Sequence, residues 1–240
     1  MEFQIIRSDL AKVEPLRNLF LSESKFQFIH NKCHAAGWAD TYLFSLNEAH
    51  VGYGSVWGKD KRENRDTIFE FYLTGPFREY AGQLFAGFIK ASVAVFVECQ
   101  SNDTLLARMI FEYAGHINAE AILFEDLFET AYCIPGIRFI KYQDADGNTE
   151  YNLELDGEVV ATGGYVWNYN YPYIDLYYEV KESNRKKGYG VLITQELKKE
   201  AYHLDRVPAA RCNVKNIASQ RTLIKAGMRI CGYILFGVIS

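Results

Sequence analysis

The chain has no cysteine pair spaced as CxxC, no long run of basic residues and no apolar stretch long enough to cross a bilayer. Each absence excludes something. The five cysteines (Cys33, Cys99, Cys133, Cys212, Cys231) are scattered and odd in number, which speaks against a disulfide frame or a zinc site and for reduced thiols. The five histidines lack metal-ligand spacing, so no metal is expected. Lysine and arginine number 26 against 30 acidic residues, a net charge of -4. That balance is poor footing for nucleic-acid binding, which needs phosphate neutralisation. The longest apolar stretch, residues 84–97, is broken by Lys90 and falls short of the roughly 20 residues of a membrane helix. Residues 1–10 carry Glu2, Arg7 and Asp9, so no signal peptide is expected there. These features predict a soluble cytoplasmic protein with no nucleic-acid or membrane partner. Assembly as a homodimer is compatible with them.

What is present is apolar and aromatic: 49% and 15% of 240 residues, enough for one large core or two small ones. Two segments repeat. Residues 47–57 (NEAHVGYGSVW) align with 157–167 (GEVVATGGYVW), with Glu, Gly, Val and Trp in register. Each reads as a tight turn entering a strand. The surroundings agree. A β-branched and aromatic run follows in both halves (68–73 and 174–180), then an arginine (Arg78, Arg185) and a helix-period segment. A second strand comes next (93–99; 209–214), followed by an asparagine (Asn102, Asn216), another helix and a glycine stop (Gly115, Gly227). A last apolar strand closes each half (119–124; 232–238). This order predicts an α/β (α+β) fold built twice, each unit a mixed sheet flanked by helices, over residues 1–125 and 126–240. Before its hairpin the first half has room for a strand (3–7) and two helices (12–21 and 25–36). Between residues 126 and 149 there is room for one such helix at most.

The segment 180–190 (VKESNRKKGYG) carries the chemistry. It joins a strand end, an Arg-x-x-Gly-x-Gly loop and a helix start. First-turn amides have no intrahelical partner, the macrodipole adds partial positive charge, and glycines let a phosphate approach. Arg185, Lys186 and Lys187 add charge beside Gly188, Tyr189 and Gly190. A pyrophosphate is the natural guest. A P-loop and a Rossmann fingerprint are both absent.

Downstream stand Asn213-Val214-Lys215-Asn216-Ile217-Ala218-Ser219 and Leu223-Ile224-Lys225-Ala226-Gly227-Met228. With the loop, they make residues 155–238 resemble the GNAT superfamily of N-acetyltransferases closely; residues 1–125 resemble it only in outline. The details of 163–175, 208–212 and 232–237 look like tandem members of that family. The resemblance implies that the 185–190 loop holds the pyrophosphate of acetyl-CoA, and that Tyr178 and Val180 pair their backbone with its pantetheine arm. Asn216 and Ser219 would complete the cofactor side. In the first half, matching Arg78 to Arg185 puts Ala81 and Gln83 at the glycine positions and Tyr72 opposite Glu179. That half is expected to bind no cofactor and to serve as scaffold, with the acceptor pocket near the junction.

Acetyl transfer to a small-molecule or peptide amine needs a base, because an alkylamine with a pKa of about 10 is protonated at neutral pH. Glu179 is the first candidate and Asp175 the second. Many family members carry a tyrosine at the position of Ile224 to protonate the leaving thiolate; here Tyr233, Tyr178 or water would substitute. The run with Trp167, Tyr169, Tyr171 and Tyr173 is either an acceptor clamp or a packed hairpin. Cys212 reads as a buried structural thiol. A non-catalytic acyl-CoA-binding or protein-interaction module on the same fold is the alternative.

Overall fold

The computed structural model describes residues 3–23, 30–143 and 149–240. It divides into two compact units, Met1–Glu120 with Gly232–Ser240, and Ala121–Cys231. The change of unit in mid-chain falls between residues 120 and 121, against the expected 125 and 126. The last nine residues, however, cluster with the first unit and not with the half that precedes them.

In the first unit, β1 (Phe3–Ser8), α1 (Leu10–Glu23) and α2 (Asn31–Ala35) lead into β2 (Ala39–Leu46) and β3 (Ala49–Trp57). The β2–β3 turn has Asn47 and Glu48 at φ 47 and 70, the two positive dihedrals of a hairpin turn that matches strand twist. β4 (Thr67–Leu73), α3 (Ala81–Ser92), β5 (Phe96–Gln100) and α4 (Thr104–Tyr113) follow. Of the helix expected over 25–36, the last turn is present as α2 and residues 25–29 lie outside the described residues. The helix of residues 81–92 runs to a left-handed Val93 cap, φ 56, so the strand begins at Phe96 and not at 93. Gly115 is not a helix stop. α4 ends at Tyr113, and Gly115 lies inside β6 (Ala114–Asp126), whose first residues belong to this unit.

Both faces of this sheet are covered. Phe44, Phe71, Phe85, Phe88 and Met109 form the core under α3 and α4. Val13, Leu16 and Phe20 of α1 pack on Leu43, Tyr53 and Tyr72 opposite. On the α1 side the fully buried Glu70 receives Arg17 Nη2 at 3.0 Å, His34 Nε2 at 2.9 Å and Ser55 Oγ at 3.2 Å. Burial alone would raise its pKa, but Arg17 and His34 outweigh it and hold the carboxyl well below its ordinary value. Burial pushes His30 down to about 4, so it is neutral. Removing either member of the Arg17–Glu70 pair would strand the other's charge, at about 3–5 kcal/mol.

In the second unit, β7 (Ile137–Gln143), β8 (Thr149–Leu155), β9 (Glu158–Val166) and β10 (Tyr173–Val180) form an antiparallel series. The β8–β9 turn repeats the first unit's device, with Asp156 and Gly157 at φ 51 and 85. α5 (Tyr189–His203), β11 (Val207–Asn213) and α6 (Ile217–Lys225) follow, and Gly227 at φ 86 stops α6 as expected. α5 buries Leu192, Ile193 and Leu197 against Tyr151, Val160, Ile174 and Leu176. Lys198, only 3% exposed, pins this helix: its Nζ meets Asp126 Oδ1 at 2.5 Å and donates to the Phe128 and Ala226 carbonyls at 2.8 and 2.7 Å. Among the described residues no helix lies between 126 and 149, which sequence length foreshadowed.

The sheets are closed by exchanged strands. Residues 121–125 of β6, from the middle of the chain, pair antiparallel with β11. The C-terminal strand β12 (Met228–Ile239) starts in the second unit and pairs its residues 234–238 with β5 of the first.

Asp103 caps α4 by accepting the Leu106 amide at 3.1 Å. Burial pushes its pKa up to about 7, against the helix amides that would lower it. A raised carboxyl stabilises the fold in its protonated form, below the unfolded value near 4, and that contribution is lost as pH rises through 7. Asp103→Asn keeps the cap and removes the penalty. The variant is expected to gain about 2–3 kcal/mol over wild type between pH 5 and pH 8, read by urea denaturation at both pH values; a constant difference would refute it.

Candidate functional site

The site of the second unit begins where two parallel strands part. β10 and β11 pair at Tyr173↔Val207, Ile174↔Pro208 and Asp175↔Ala209, where the ladder ends. β10 runs on to Val180 against β9 alone. The Lys181 amide donates to Val160 across that antiparallel ladder at 3.2 Å. Since bonding direction alternates along a strand, Tyr177 and Glu179 turn their main chain toward β9, whereas Tyr178 and Val180 turn theirs into the gap. The Val180 carbonyl there accepts from Arg185 Nε at 3.4 Å.

The expected loop closes the same end. The Arg185 amide bonds to Glu182 at 3.2 Å, and the next bonded amide is that of Val191, to Gly188 at 3.1 Å. Among the described residues, none accepts from the amides of Lys186, Lys187, Gly188, Tyr189 and Gly190. Lys186 and Gly188 are left-handed, φ 64 and 90, a backbone that turns successive N–H groups into an anion-binding concavity. With the start of α5 behind it and the exposed Arg185, Lys186 and Lys187 beside it, the loop fits a diphosphate. Lys187 Nζ also donates to Asn184 Oδ1 at 2.9 Å.

The two glycines do different work. Gly188 needs its positive φ, and a Cβ there would overlap the Tyr132 hydroxyl. At Gly190 a Cβ would lie 3.0 Å from Thr222 Cγ2 and 3.4 Å from the Tyr178 ring; the missing side chain there admits α6 against α5. The Tyr189 side chain is buried in the core, so this residue offers only its amide. Tyr132 carries no sequence signal. Gln195 holds it, accepting the Tyr132 amide at 2.6 Å and donating to its carbonyl at 3.0 Å.

Asn216 and Ser219 have local tasks. Asn216 Oδ1 caps α6 by accepting the Ser219 amide at 3.1 Å, and Ser219 Oγ lies 3.2 Å from the Tyr178 hydroxyl. Burial pushes the Tyr178 phenol up despite bonds to Ser219 and Thr222, which makes it a weak acid turned toward α6. Ile224 is half exposed on α6. Tyr233 belongs to the first unit, where its amide donates to Ser101 Oγ at 2.9 Å and its carbonyl accepts the Ser101 amide at 2.8 Å. Cys212 is buried and burial pushes its thiol up, in keeping with a structural role.

Side chains of Ile174, Leu176, Tyr178 and Val180 pack toward α5, so the alternating Asp175, Tyr177 and Glu179 stand on the other face. Glu179 is exposed there, with no hydrogen-bond or ion-pair partner among the described residues. Asp175 is buried and held by Arg211, Nε to Oδ2 at 3.5 Å. The aromatic run divides among separate partners. Trp167 packs on Tyr165, Tyr169 is buried and accepts from Arg211 Nη2 at 3.0 Å, and the exposed Tyr171 lies under Arg206. Tyr173 is half-buried in β10. Trp167 and Tyr171 are exposed, whereas Tyr169 is buried.

No protein-family model matches the chain, and no curated protein does. Solved structures match it in fold. An acetyltransferase of the GNAT family from Colwellia psychrerythraea is similar over 100% of both chains, with TM-score 0.80 at 15% identity. A GCN5-related N-acetyltransferase from Sphaerobacter thermophilus is similar over 98% of this chain and 94% of its own, with TM-score 0.64 at 12% identity. A tandem GNAT protein from the clavulanic acid biosynthesis pathway is similar over 99% and 98%, with TM-score 0.63 at 8% identity. The fold is the GNAT fold, a mixed α/β architecture with helices flanking the sheet. Its two halves correspond to the tandem arrangement.

Gly188→Ala forces a side chain into a left-handed backbone and into Tyr132. It is expected to lower stability by roughly 1–2 kcal/mol, with Tyr132→Ala restoring only the steric part. Thermal denaturation of the two single variants and the double variant measures both. An unchanged midpoint in Gly188→Ala would rule out the left-handed turn.

Proposed function

We propose that the chain is an acetyl-CoA-dependent N-acetyltransferase whose working site is in the second unit and whose acceptor is an amine of a small molecule or a protein. The observation that carries this reading is the concavity of amides at 186–190, set at the end of a strand whose Tyr178 and Val180 main-chain groups face an open gap. The amides would hold the diphosphate of acetyl-CoA, and the two strand residues its pantetheine arm, as an added strand does. Bound there, acetyl-CoA supplies the acetyl group as an activated thioester.

This chain's own residues do the rest. An ammonium must lose a proton before its nitrogen can attack, and the unpaired Glu179 carboxylate is the base for it, directly or through water. A leaving thiol with a pKa of about 8.5 costs roughly 2 kcal/mol to release unprotonated at pH 7, so water suffices where Ile224 offers no proton.

The test is release of free CoA from acetyl-CoA in the presence of a pool of amines. Glu179→Gln is expected to slow that release by roughly 10²–10⁴-fold while keeping the thermal stabilisation by acetyl-CoA, about 2.7 kcal/mol at 100 times its dissociation constant. Gly188→Glu is expected to lose the stabilisation and stay folded. The absence of the tyrosine at Ile224 favours a second reading, a non-catalytic acyl-CoA-binding module; stabilisation without CoA release for any amine would select it. No stabilisation at all would refute both.

A further inference from the structure

Arg211 stands two residues beyond the last pair of the β10–β11 ladder, Asp175↔Ala209. Its guanidinium is fixed from two sides, by the buried Asp175 carboxylate at 3.5 Å and by the Tyr169 hydroxyl at 3.0 Å. Tyr169 is itself only 3% exposed, and its ring lies 5.9 Å beneath the guanidinium. Yet 43% of the Arg211 side chain remains open to solvent. An arginine on a surface ordinarily keeps its rotamer freedom. Here two groups of the fold restrict it, and the side chain still reaches solvent.

Contact with Asp175 puts Arg211 on the face of β10 that also carries Tyr177 and Glu179. That face of the parted strands therefore carries an unpaired carboxylate on one strand and an ordered guanidinium on the other. A guanidinium of this kind matches a planar carboxylate and loses little entropy in binding it. Asp175 offsets part of the positive charge, which disfavours a lone anion and suits a ligand that is itself zwitterionic.

We infer that the acceptor is an amine that also bears a carboxylate: the amine is presented to Glu179 and the carboxylate is anchored by Arg211. The inference rests on the acetyl-transfer reading and narrows its substrate class.

It is tested with matched probes under saturating acetyl-CoA: β-alanine and 4-aminobutyrate against their amide and decarboxylated counterparts, with free CoA as the readout. Wild type is expected to favour the carboxylated member of each pair in kcat/KM by roughly ten- to hundredfold, the worth of a charge-assisted hydrogen-bonded contact. Arg211→Gln is expected to bring the pairs to parity by raising KM for the carboxylated members, and Arg211→Lys to recover part of the preference. Retained thermal stabilisation by acetyl-CoA shows that the variants are folded; if Arg211→Gln fails that check, Arg211→Lys and the wild-type preference decide. Equal rates on both members, or a preference for the uncarboxylated one, overturn the inference and leave the acetyltransferase reading standing. No CoA release from any member while the amine pool is turned over does the same. Acetyl-CoA that neither binds nor is consumed overturns both.

Discussion

The early end of the β10–β11 ladder is the constraint on which the second unit's site depends. Three parallel pairs hold the strands together up to Asp175 and Ala209. Beyond them the main-chain groups of Tyr178 and Val180 have no strand to bond. Such groups are costly to leave unpaired in a closed interior, so a gap of this kind persists only where solvent or a ligand supplies partners. Beside the gap the Tyr178 side chain reaches Ser219 at the head of α6, and Gly190 lets α6 lie against α5.

The first unit repeats this geometry and fills it. β4 and β5 pair only at Thr67↔Phe96 and Ile68↔Val97, and Arg78 Nε donates to the Leu73 carbonyl at 3.1 Å, as Arg185 does to that of Val180. This shared contact fixes the match of the halves and sets Glu70 against Tyr177 and Tyr72 against Glu179. In the first unit α1 and α2 cover that face, and Arg17 and His34 consume the carboxylate of Glu70. In the second unit no helix precedes β9 among the described residues, and Tyr177 and Glu179 stay exposed. The loops differ for the same kind of local reason. The position of Gly188 is taken by Ala81, helical at φ -54, so the left-handed cradle has no counterpart there.

Strand exchange gives the duplication a further consequence. Each unit's sheet is completed by a strand that the chain order assigns to the other half: β6 supplies the partner of β11, and β12 the partner of β5. A cut at residue 125 would sever β6 at its pairing with β11, because Glu125 is opposite Ala209. The compact units are therefore defined by pairing and not by contiguous sequence.

The sequence by itself determined whatever depends on neighbours a few residues apart. The paired turns at Asn47-Glu48 and Asp156-Gly157, the strands they enter, the Arg-x-x-Gly-x-Gly loop before α5 and the Gly227 stop were all legible, since local dihedral preference and hydrophobic period decide them. The tertiary structure decided what depends on partners distant in the chain. It set where the β10–β11 ladder ends, which strand closes each sheet, and that Gly190 serves helix packing. It committed Asp175 to Arg211 and left Glu179 without a partner, and it brought Tyr132 to Gly188. No spacing encodes these, because each is a contact between segments tens of residues apart whose meeting only the packed core fixes.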